Sequence, residues 1–482
     1  MPKPEHDAAE HPGGALLGER SFTLADQHAF ADFCGDRNPI HLDSVYARRT
    51  IAGDVVVHGV NAVLWALDLF VASGRGAPGG FSATFKKPIF LAERVECRLH
   101  EARKLISIWR DDARLVDIAL QAGPAPAASA FTPAEAPRAA PMVRTEADLI
   151  DGAPAPLRLC GQSARASTLF PALSDALGAA RVCDLGATSE IVGMQAPGLH
   201  SLYLTLKASF AAPNAAVAPN YRVDSFDPRF RIANLVVETP SLNAKLSALL
   251  RSPPADIAGL AEISGDIAPG EFKHVRALIV GGSRGLGEAT AKIIARGGGA
   301  VAITYNVGVA EAQRLVDEIN AAGGEGDAVQ LDVSDEQSIA QLDLGAFNHL
   351  YYFATPKIFG KRGAAFDAEL LERFRSFYVG AFSQLMERRR ARGGKVAVFY
   401  PSTTAIDQPL PDLAEYIAAK REGEALCAAL SNAPELEILW PRIPRTQTDQ
   451  TAAVIAVAAN DPVLVMAPFV REMAALTVAG SV

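Results

Sequence analysis

A strand, a glycine-rich turn and a helix follow one another just past the middle of this 482-residue chain, and their order constrains the fold. Residues 275–280 form an apolar run, the turn after it reads Gly281-Gly282-Ser283-Arg284-Gly285-Leu286-Gly287, and a helix is predicted to start at Glu288. Such a turn lets the backbone approach a pyrophosphate, and a helix N-terminus favours its negative charge. The glycine spacing alone is a weak signal, but between a strand and a helix it predicts a dinucleotide-binding site.

Strands and helices keep alternating after this turn. The pattern predicts a helix at 309–322 and strands at 300–305, 327–333 and 395–400. This alternation is typical of an α/β domain with a parallel, doubly wound sheet. We therefore expect a Rossmann-type domain over residues 270–482.

Three further residues of this domain carry acid–base chemistry. Tyr416 and Lys420 are four residues apart and share a face if they lie on a helix. An ammonium near a phenol lowers the pKa of the phenol and makes it a usable proton donor. Ser402 lies fourteen residues before Tyr416 and can bind a substrate carbonyl. Joined to the glycine turn, this set resembles the short-chain dehydrogenase/reductase (SDR) family.

The resemblance implies a catalytic triad of Ser402, Tyr416 and Lys420, and a cofactor site at the ends of the first three strands. The implied cofactor contacts are Gly281, Ser283, Arg284, Gly285, Leu286, Gly287, Tyr305, Asn306, Asp332, Val333, Tyr416 and Lys420. The second strand ends at Tyr305-Asn306 rather than at an acid that would bind a ribose diol, and Arg284 stands in the turn. We therefore expect NADP(H), with NAD(H) as the alternative.

The chain departs from the family pattern at three places. Tyr352-Phe353-Ala354-Thr355 replaces the usual Asn-Asn-Ala-Gly, Phe377 stands where a proton-relay Asn is usual, and Pro441-Arg442 replaces Pro-Gly. A surviving triad predicts activity, whereas these replacements favour a slow reductase or a module that only binds nucleotide.

An acid and a base stand five residues apart in the first hundred residues. Asp36 and His41 flank an Asn-Pro pair, and His58-Gly59 follows at the start of an apolar helix predicted at 58–72. A carboxylate and an imidazole can hold one water, deprotonate it and return the proton elsewhere, which is what hydration of an enoyl carbonyl compound requires.

This motif resembles that of the MaoC-like, (R)-specific enoyl-thioester hydratases, which have an α+β hot-dog fold. The matching positions are Phe33-Cys34-Gly35-Asp36-Arg37-Asn38-Pro39-Ile40-His41, Asp43, Tyr46-Ala47, Gly53 and His58-Gly59. The resemblance implies that Asp36 and His41 bind the catalytic water and that a backbone N–H near Gly59 polarises the thioester carbonyl. Glycine permits close backbone approach, and a helix N-terminus suits developing negative charge.

A weak internal repeat follows the first domain. The segment 77–82 (APGGFS) recurs at 196–201 (APGLHS), and each copy leads into a predicted strand. The repeat predicts a second, degenerate hot-dog without the Asp36 and His41 loop, and an unrelated α+β insert is the alternative. The expected divisions are a disordered leader 1–18, a MaoC-like hot-dog 19–124, an Ala/Pro-rich linker 125–156, the second hot-dog 157–255 and the SDR domain 270–482.

Composition excludes several other classes of protein. A net charge of −8 gives no basis for binding nucleic acid or an anionic membrane, and five scattered cysteines indicate neither a disulfide framework nor a zinc site. No signal peptide or long apolar run is visible, so we expect a cytoplasmic protein without a bound metal.

Together, the two motifs predict a bifunctional enzyme. One part interconverts (R)-3-hydroxyacyl and trans-2-enoyl thioesters, and the other transfers hydride at the 3-position with NADP(H). Expected partners are acyl-CoA or acyl-carrier-protein substrates and further copies of the chain in a homodimer or homotetramer. The alternatives are a hydratase with an SDR scaffold, and a reductase acting on a specialised acyl group.

Overall fold

The computed structural model describes residues 13–124, 136–150, 152–157, 162–212, 214, 216–253, 256–263, 267–358, 366–449 and 459–479. The chain divides into two compact units, with the boundary after Pro253. Each unit has its own sheet and hydrophobic core. Among the described residues, no helix combines the length and the apolar character needed to cross a lipid bilayer.

The described residues of the first unit form ten strands and six α-helices. The strands are β1 (Ala15–Ser21), β2 (Pro78–Phe85), β3 (Arg94–His100), β4 (Leu105–Arg110), β5 (Ala113–Pro124), β6 (Ala155–Pro156), β7 (Ser201–Phe210), β8 (Asn220–Asp227), β9 (Ile232–Glu238) and β10 (Leu242–Leu250). The helices are α1 (Leu24–Cys34), α2 (Ser44–Ala47), α3 (Gly59–Ala72), α4 (Ser163–Leu169), α5 (Pro171–Leu177) and α6 (Ala179–Glu190). A π-helical turn, Ile191–Gln195, continues α6.

One antiparallel sheet runs through this unit in the order β1-β3-β4-β5-β2-β7-β10-β9-β8-β6. Taken from its two edges, the sheet shows the same order twice, β1-β3-β4-β5-β2 and β6-β8-β9-β10-β7. The two halves meet where β2 pairs with β7, Phe81 opposite Ala208. The two strands that the repeat identified are therefore neighbours at this seam.

Helix α3 is the apolar helix that the sequence predicts. Its residues from Val60 to Leu67 are all buried, because the helix packs into the core of the first half rather than lying on a surface. A helix that is apolar on every side is stable only when it is enclosed.

Two of the expected divisions differ from the structure. Within the predicted leader, β1 begins at Ala15 and pairs with β3. Part of the predicted linker lies outside the described residues, but the rest packs on the second half. There the backbone N–H of Met142 donates to Met194, Leu149 is fully buried, and β6 pairs with β8.

The second unit is an α/β domain. Its strands are β11 (Arg276–Val280), β12 (Ala300–Tyr305), β13 (Glu325–Gln330), β14 (His349–Tyr352), β15 (Val396–Phe399), β16 (Ser402–Thr403), β17 (Leu436–Leu439) and β18 (Arg442–Ile443). Its helices are α7 (Gly285–Arg296), α8 (Val309–Ala321), α9 (Glu336–Ala340), α10 (Ala368–Arg375), α11 (Phe382–Ala391), α12 (Ala414–Leu430) and α13 (Pro462–Ala479), with a π-helical turn, Ser376–Ala381, between α10 and α11.

Six of these strands form a parallel sheet in the order β13-β12-β11-β14-β15-β17, which confirms the predicted doubly wound topology. The order reverses between β11 and β14. In such sheets ligands bind at the carboxyl ends of the strands at this switch point. The glycine turn leaves β11 at that end, and α7 begins at Gly285, three residues before the predicted start.

Candidate active sites

The loop between α1 and α2 carries both predicted hydratase residues. Helix α1 ends at Gly35, whose φ of 88° lies in the left-handed region that glycine tolerates best. Asn38 then caps a short 3₁₀ turn, Pro39–His41, by accepting a hydrogen bond from the N–H of Ile40 at 3.2 Å. The two turns direct Asp36, which is 1% exposed, into the interior.

The structure brings Asp36, His41 and His58 together. One ligand atom from each lies within 4.8 Å of the other two. Nδ1 of His41 lies 2.7 Å from the carbonyl oxygen of Val56, which can only accept, so Nδ1 carries the proton and Nε2 remains an acceptor. The carboxylate and an unprotonated imidazole nitrogen are both acceptors, and two neighbouring acceptors can hold a water by both its hydrogens.

Burial acts in opposite directions on the two groups. It raises the pKa of Asp36, and the charge of His41 and hydrogen bonds from Ser189 and the N–H of Asn38 oppose it. Burial lowers the pKa of His41, against the attraction of Asp36 and the hydrogen bond to Val56. His41 is therefore a neutral imidazole near pH 7, as a base must be.

His58 supports this loop from the start of α3. Oε1 of Gln27 lies 2.9 Å from the backbone N and 2.8 Å from Nδ1 of His58, and Nε2 lies 3.1 Å from the carbonyl oxygen of Asp36. The ring stacks on His41 with centroids 3.9 Å apart. Because both nitrogens of His58 face protein oxygens, its ring orients the loop.

Gly59 begins α3 beside His58, so the structure places it at the same site. A Cβ on Gly59 would lie 2.7 Å from a ring carbon of Phe85, closer than packed carbons approach. A larger residue at this position would therefore have to displace the ring of Phe85. The oxyanion role assigned to its N–H remains a prediction.

Sequence reasoning did not find the contribution of the second half. The hydroxyl of Ser189 donates to Asp36 Oδ2 at 2.7 Å, and the side-chain amide of Asn38 donates to the carbonyl oxygen of Gly193 at 2.8 Å. Ser189 lies 153 residues from Asp36, and no local motif marks it.

In the second unit, the glycine turn forms a tight cradle. Gly281 has a φ of 77°, and a Cβ there would lie 2.9 Å from the backbone N of Ala354. A Cβ on Gly287 would overlap the carbonyl oxygen of Gly281, and Gly285 has a φ of 58°. The turn thus excludes side chains where a pyrophosphate approaches the backbone, and these residues fit a dinucleotide.

The other turn residues differ in their surroundings. Ser283 is 9% exposed, and Leu286 packs against the core below the turn. Arg284 lies 3.6 Å from Asp449 as an ion pair. This guanidinium thus has a carboxylate partner within its own unit, which weakens the preference for NADP(H) that was inferred from Arg284.

The predicted adenine-side residues meet at the ends of β12 and β13. The carboxylate of Asp332 accepts hydrogen bonds from Ser334, at 2.9 Å from N and 2.5 Å from Oγ. These bonds and one from the side chain of Asn306 lower its pKa. Tyr305 is adjacent, since its carbonyl oxygen accepts from the N–H of Leu331 at 2.8 Å, and Val333 is 8% exposed.

Lys420 and Tyr416 lie one turn apart on α12, as predicted. Nζ of Lys420 donates to the carbonyl oxygen of Pro401 at 2.7 Å and lies 4.0 Å from the ring centroid of Tyr378 and 6.0 Å from that of Tyr416. Burial lowers the pKa of Lys420 to about 7 and raises that of Tyr416 to about 12. Burial thus acts against the expected lowering of the phenol's pKa, and a hydrogen bond with Thr403 offsets only part of the rise.

The structure gives Ser402 a partner outside the predicted triad. Its hydroxyl donates to Oε1 of Glu424 at 2.5 Å, and Glu424 also pairs with Arg442 at 2.8 Å. The hydroxyl that hydrogen-bonds Tyr416 belongs to Thr403. The partners of the two neighbouring hydroxyls, Glu424 and Tyr416, both lie on α12.

The departures from the family pattern also meet in space. The hydroxyls of Thr355 and Tyr378 are 2.5 Å apart, and the hydroxyl of Tyr352 donates to the carbonyl oxygen of Phe377 at 2.6 Å. These contacts lie at the π-helical turn Ser376–Ala381. Hydroxyl groups thus occupy the region in which the family places its relay amide.

Comparison with known proteins identifies two domains. Residues 8–110 match the model of the MaoC like domain, and residues 275–350 match the short chain dehydrogenase model. The chain therefore carries a MaoC-like domain and an SDR domain.

Curated relatives match over short stretches. An uncharacterized oxidoreductase, YgfF, of Escherichia coli K12 is 41% identical over 66 residues, 14% of this chain and 27% of the relative. The 1-cyclohexenylcarbonyl-CoA reductase of Streptomyces collinus is 43% identical over 65 residues, 14% of this chain and 23% of that protein. The chain thus spans about a quarter of the length of these relatives.

Among solved structures, a short-chain dehydrogenase/reductase from Serratia marcescens is 20% identical with a TM-score of 0.39, and the match covers 42% of this chain and 91% of that one. A likeness at this level carries no argument about function.

Proposed function

We propose that this chain, which joins a MaoC-like domain to an SDR domain, is a bifunctional acyl-thioester enzyme. The first site interconverts (R)-3-hydroxyacyl and trans-2-enoyl thioesters, and the second interconverts 3-oxoacyl and 3-hydroxyacyl thioesters with NADP(H). The observation that supports this most strongly is that side-chain atoms of Asp36 and His41 lie within 4.8 Å of each other and of His58, the residue that precedes the N-terminus of α3. The acyl group is carried by CoA or by an acyl-carrier protein.

In the hydratase direction, one water donates hydrogen bonds to the carboxylate of Asp36 and to Nε2 of His41. Its oxygen attacks the 3-carbon, one of the two groups takes the released proton, and that proton is delivered to the 2-carbon. Negative charge develops on the thioester oxygen meanwhile, and the N–H of Gly59 donates to it. A helix N-terminus in a buried site is well suited to this charge.

In the reductase direction, NADPH supplies hydride to the 3-carbon when it is bound. The raised pKa of Tyr416, about 12, keeps its phenol protonated near neutral pH, so the phenol donates a proton to the oxo oxygen. Thr403, rather than Ser402, orients the phenol and the carbonyl. Tyr305, Asn306, Asp332 and Val333 line the adenine end.

The second half of the first unit is proposed to be a degenerate hot-dog. Its strands repeat the order of the first half, and its long helix, α6, occupies the corresponding place between the first two strands. It has no counterpart of the loop that carries Asp36 and His41. We propose for the assembly a homodimer or homotetramer, as both families favour.

Hydration of crotonyl-CoA, followed by loss of the enone absorbance, tests the first activity. We expect turnover by the wild-type protein and none by Asp36→Asn, because the amide is not a base. Asp43→Asn is the control, since Asp43 caps α2 in the same loop through its contacts with Val45 and Tyr46. No turnover by the wild type, or equal turnover by Asp36→Asn, refutes the proposal.

Reduction of acetoacetyl-CoA with NADPH tests the second activity. We expect oxidation of NADPH that Tyr416→Phe abolishes, because phenylalanine has no proton to give. Tyr305→Phe is the control for loss of a hydroxyl in the same unit and should keep turnover while its cofactor KM reports on the adenine end.

A second candidate function is a hydratase whose SDR domain binds nucleotide without turnover. It is favoured by the contact of Lys420 with the carbonyl oxygen of Pro401 and by the hydroxyls of Thr355 and Tyr378 at the relay region. A fluorescence titration with NADPH distinguishes the two. Tight binding of NADPH, with no oxidation of NADPH in the presence of any acyl thioester from C4 to C12, identifies the SDR domain as a nucleotide-binding scaffold.

A further inference from the structure

We propose that Ser189 and Gly193, two residues of the second half, position the carboxylate of Asp36 for the hydratase reaction of the first half. The inference rests on the proposed hydratase function. It gives the second half a direct part in the catalytic site.

The contact between Ser189 and Asp36 is buried and specific. Ser189 is 4% exposed and Asp36 is 1% exposed. The hydroxyl donates to Oδ2 at 2.7 Å, and the backbone N–H of Asn38 approaches Oδ1 at 3.2 Å. Each carboxylate oxygen therefore has one protein donor, which fixes the rotation of the group, and each keeps lone-pair capacity for water.

The π-helical turn after α6 places the second contact. A Cβ on Gly193 would overlap the carboxylate of Asp36, so only glycine lets the carboxylate occupy this place. The carbonyl oxygen of Gly193 accepts from the Asn38 amide, and the N–H of Arg37 points at Sδ of Met194 at 3.3 Å. The π-helical turn thus contacts three consecutive residues of the catalytic loop, Asp36 to Asn38.

The hydroxyl also affects which form of Asp36 is present. Burial favours the neutral acid, which cannot accept a proton from water. A donated hydrogen bond favours the carboxylate and opposes the rise in pKa that burial causes. Removing the hydroxyl should raise the pKa further, so that hydration is lost at a higher pH as the solution is acidified.

The test compares Ser189→Ala and Ser189→Thr with Ser241→Ala. The hydroxyl of Ser241 donates to Oδ2 of Asp184 at 2.8 Å, another buried serine–carboxylate bond of the same half, but away from the catalytic loop. We expect kcat for crotonyl-CoA hydration to fall about tenfold to a hundredfold in Ser189→Ala, the size of one hydrogen bond to a charged group. The acid limb of kcat/KM should move to higher pH.

The two other variants separate positioning from stability. Ser189→Thr keeps a hydroxyl, so it should restore part of kcat and return the acid limb of the kcat/KM profile to its wild-type position. Ser241→Ala should lower the melting temperature and leave the pH profile unchanged. If Ser189→Ala keeps both the rate and the limb of the wild type, or if Ser241→Ala moves the limb equally, the inference is wrong.

A measurement without turnover keeps the inference distinct from the proposed function. The carboxyl band of Asp36, identified by infrared difference against Asp36→Asn, is titrated in the wild type and in Ser189→Ala. A protein that does not hydrate crotonyl-CoA but shows a raised Asp36 pKa in Ser189→Ala contradicts the proposed function and supports the positioning contact. Equal titration in both proteins overturns the contact, whatever the activity.

Discussion

Two hydroxyl residues that follow one another, Ser402 and Thr403, have different surroundings in the second unit. Ser402 donates to Glu424, which Arg442 also holds, so this hydroxyl belongs to an ionic cluster. Thr403 hydrogen-bonds the phenol of Tyr416. In the proposed reduction the substrate carbonyl meets the phenol, and we therefore expect the hydroxyl beside the phenol to affect catalysis more.

We predict that Thr403→Val lowers kcat for acetoacetyl-CoA reduction by about tenfold to a hundredfold, because valine keeps the shape but loses the hydrogen bond. Ser402→Ala should change kcat less than threefold and weaken the Glu424 cluster instead. Steady-state assays of both variants check this, and the opposite ranking would restore Ser402 to the triad.

The hydratase activity should depend on pH through Asp36 and His41. Burial raises the pKa of Asp36 and lowers that of His41, and the proposed active pair is a carboxylate with a neutral imidazole. We predict that kcat/KM for hydration does not change with pH near pH 7 and falls as the pH is lowered through the pKa values of His41 and Asp36. A profile that rises toward acid would contradict the assignment, and circular dichroism at each pH excludes unfolding as the cause.

The limits of prediction at this scale follow from distance along the chain. Asp36 and His41 could be found because five residues and an Asn-Pro pair mark them, and Tyr416 and Lys420 because one helical turn separates them. Ser189 reaches Asp36 only through the fold. The sequence does not specify the partners of Ser402 and Thr403, because Glu424 and Tyr416 both lie on α12 and only the fold shows which hydroxyl meets which.

At the scale of elements, the π-helical turn Ile191–Gln195 is the feature on which the first site depends most. It continues α6, and its residues are all buried. A π turn widens the helix locally, and such turns are common at functional sites. Here it brings the backbone of Gly193 against the carboxylate of Asp36.

We predict that Gly193→Ala abolishes crotonyl-CoA hydration, because the new methyl group would occupy the place of the Asp36 carboxylate. Acetoacetyl-CoA reduction should remain within a factor of two, since that site lies in the other unit. Gly186→Ala is a suitable comparison, because its Cβ would press on Phe33 within the core. Loss of hydration in Gly186→Ala alone would show that packing, not carboxylate position, controls the rate.

Elements with strong periodic signals were predicted well, and short ones were not. The apolar helix α3 and the strands β11 and β12 have hydrophobic patterns that decide their type. The strand β1 was missed because its residues are exposed or half-exposed at the sheet edge, so they lack an apolar pattern, and the strand is defined by its pairing with β3. The segment before β6 has a linker composition, yet its backbone bonds to Met194 and Gly198 hold it against the second half.

At the scale of the whole molecule, the proposed function places two chemistries that share an intermediate in separate units of one chain. In this proposal a 3-hydroxyacyl thioester is the product of hydration at Asp36 and His41 and the substrate of oxidation at Tyr416. Covalent linkage keeps the two activities at equal concentration. The linkage allows the two reactions to proceed in succession only if the hydroxyl formed at the first site has the configuration that the second site accepts.

Crotonyl-CoA and NADP⁺ supplied together test this requirement. Hydration followed by oxidation gives acetoacetyl-CoA and NADPH, whose absorbance rises, and alkaline pH favours the oxidation because it releases a proton. We predict that the wild-type protein forms NADPH and that Asp36→Asn and Tyr416→Phe each do not. A mixture of the two variants should again form NADPH, because the hydroxyacyl thioester is free to diffuse between molecules.

The two enantiomers of 3-hydroxybutyryl-CoA decide what a negative result means. NADPH formed from the (R) enantiomer, but not from crotonyl-CoA, would place the fault in the hydratase site. NADPH formed only from the (S) enantiomer, with hydration giving (R), would show two working sites that cannot act in succession. The fusion would then serve two separate substrates, since a carbon of the wrong configuration presents hydrogen on the side from which the nicotinamide must take hydride.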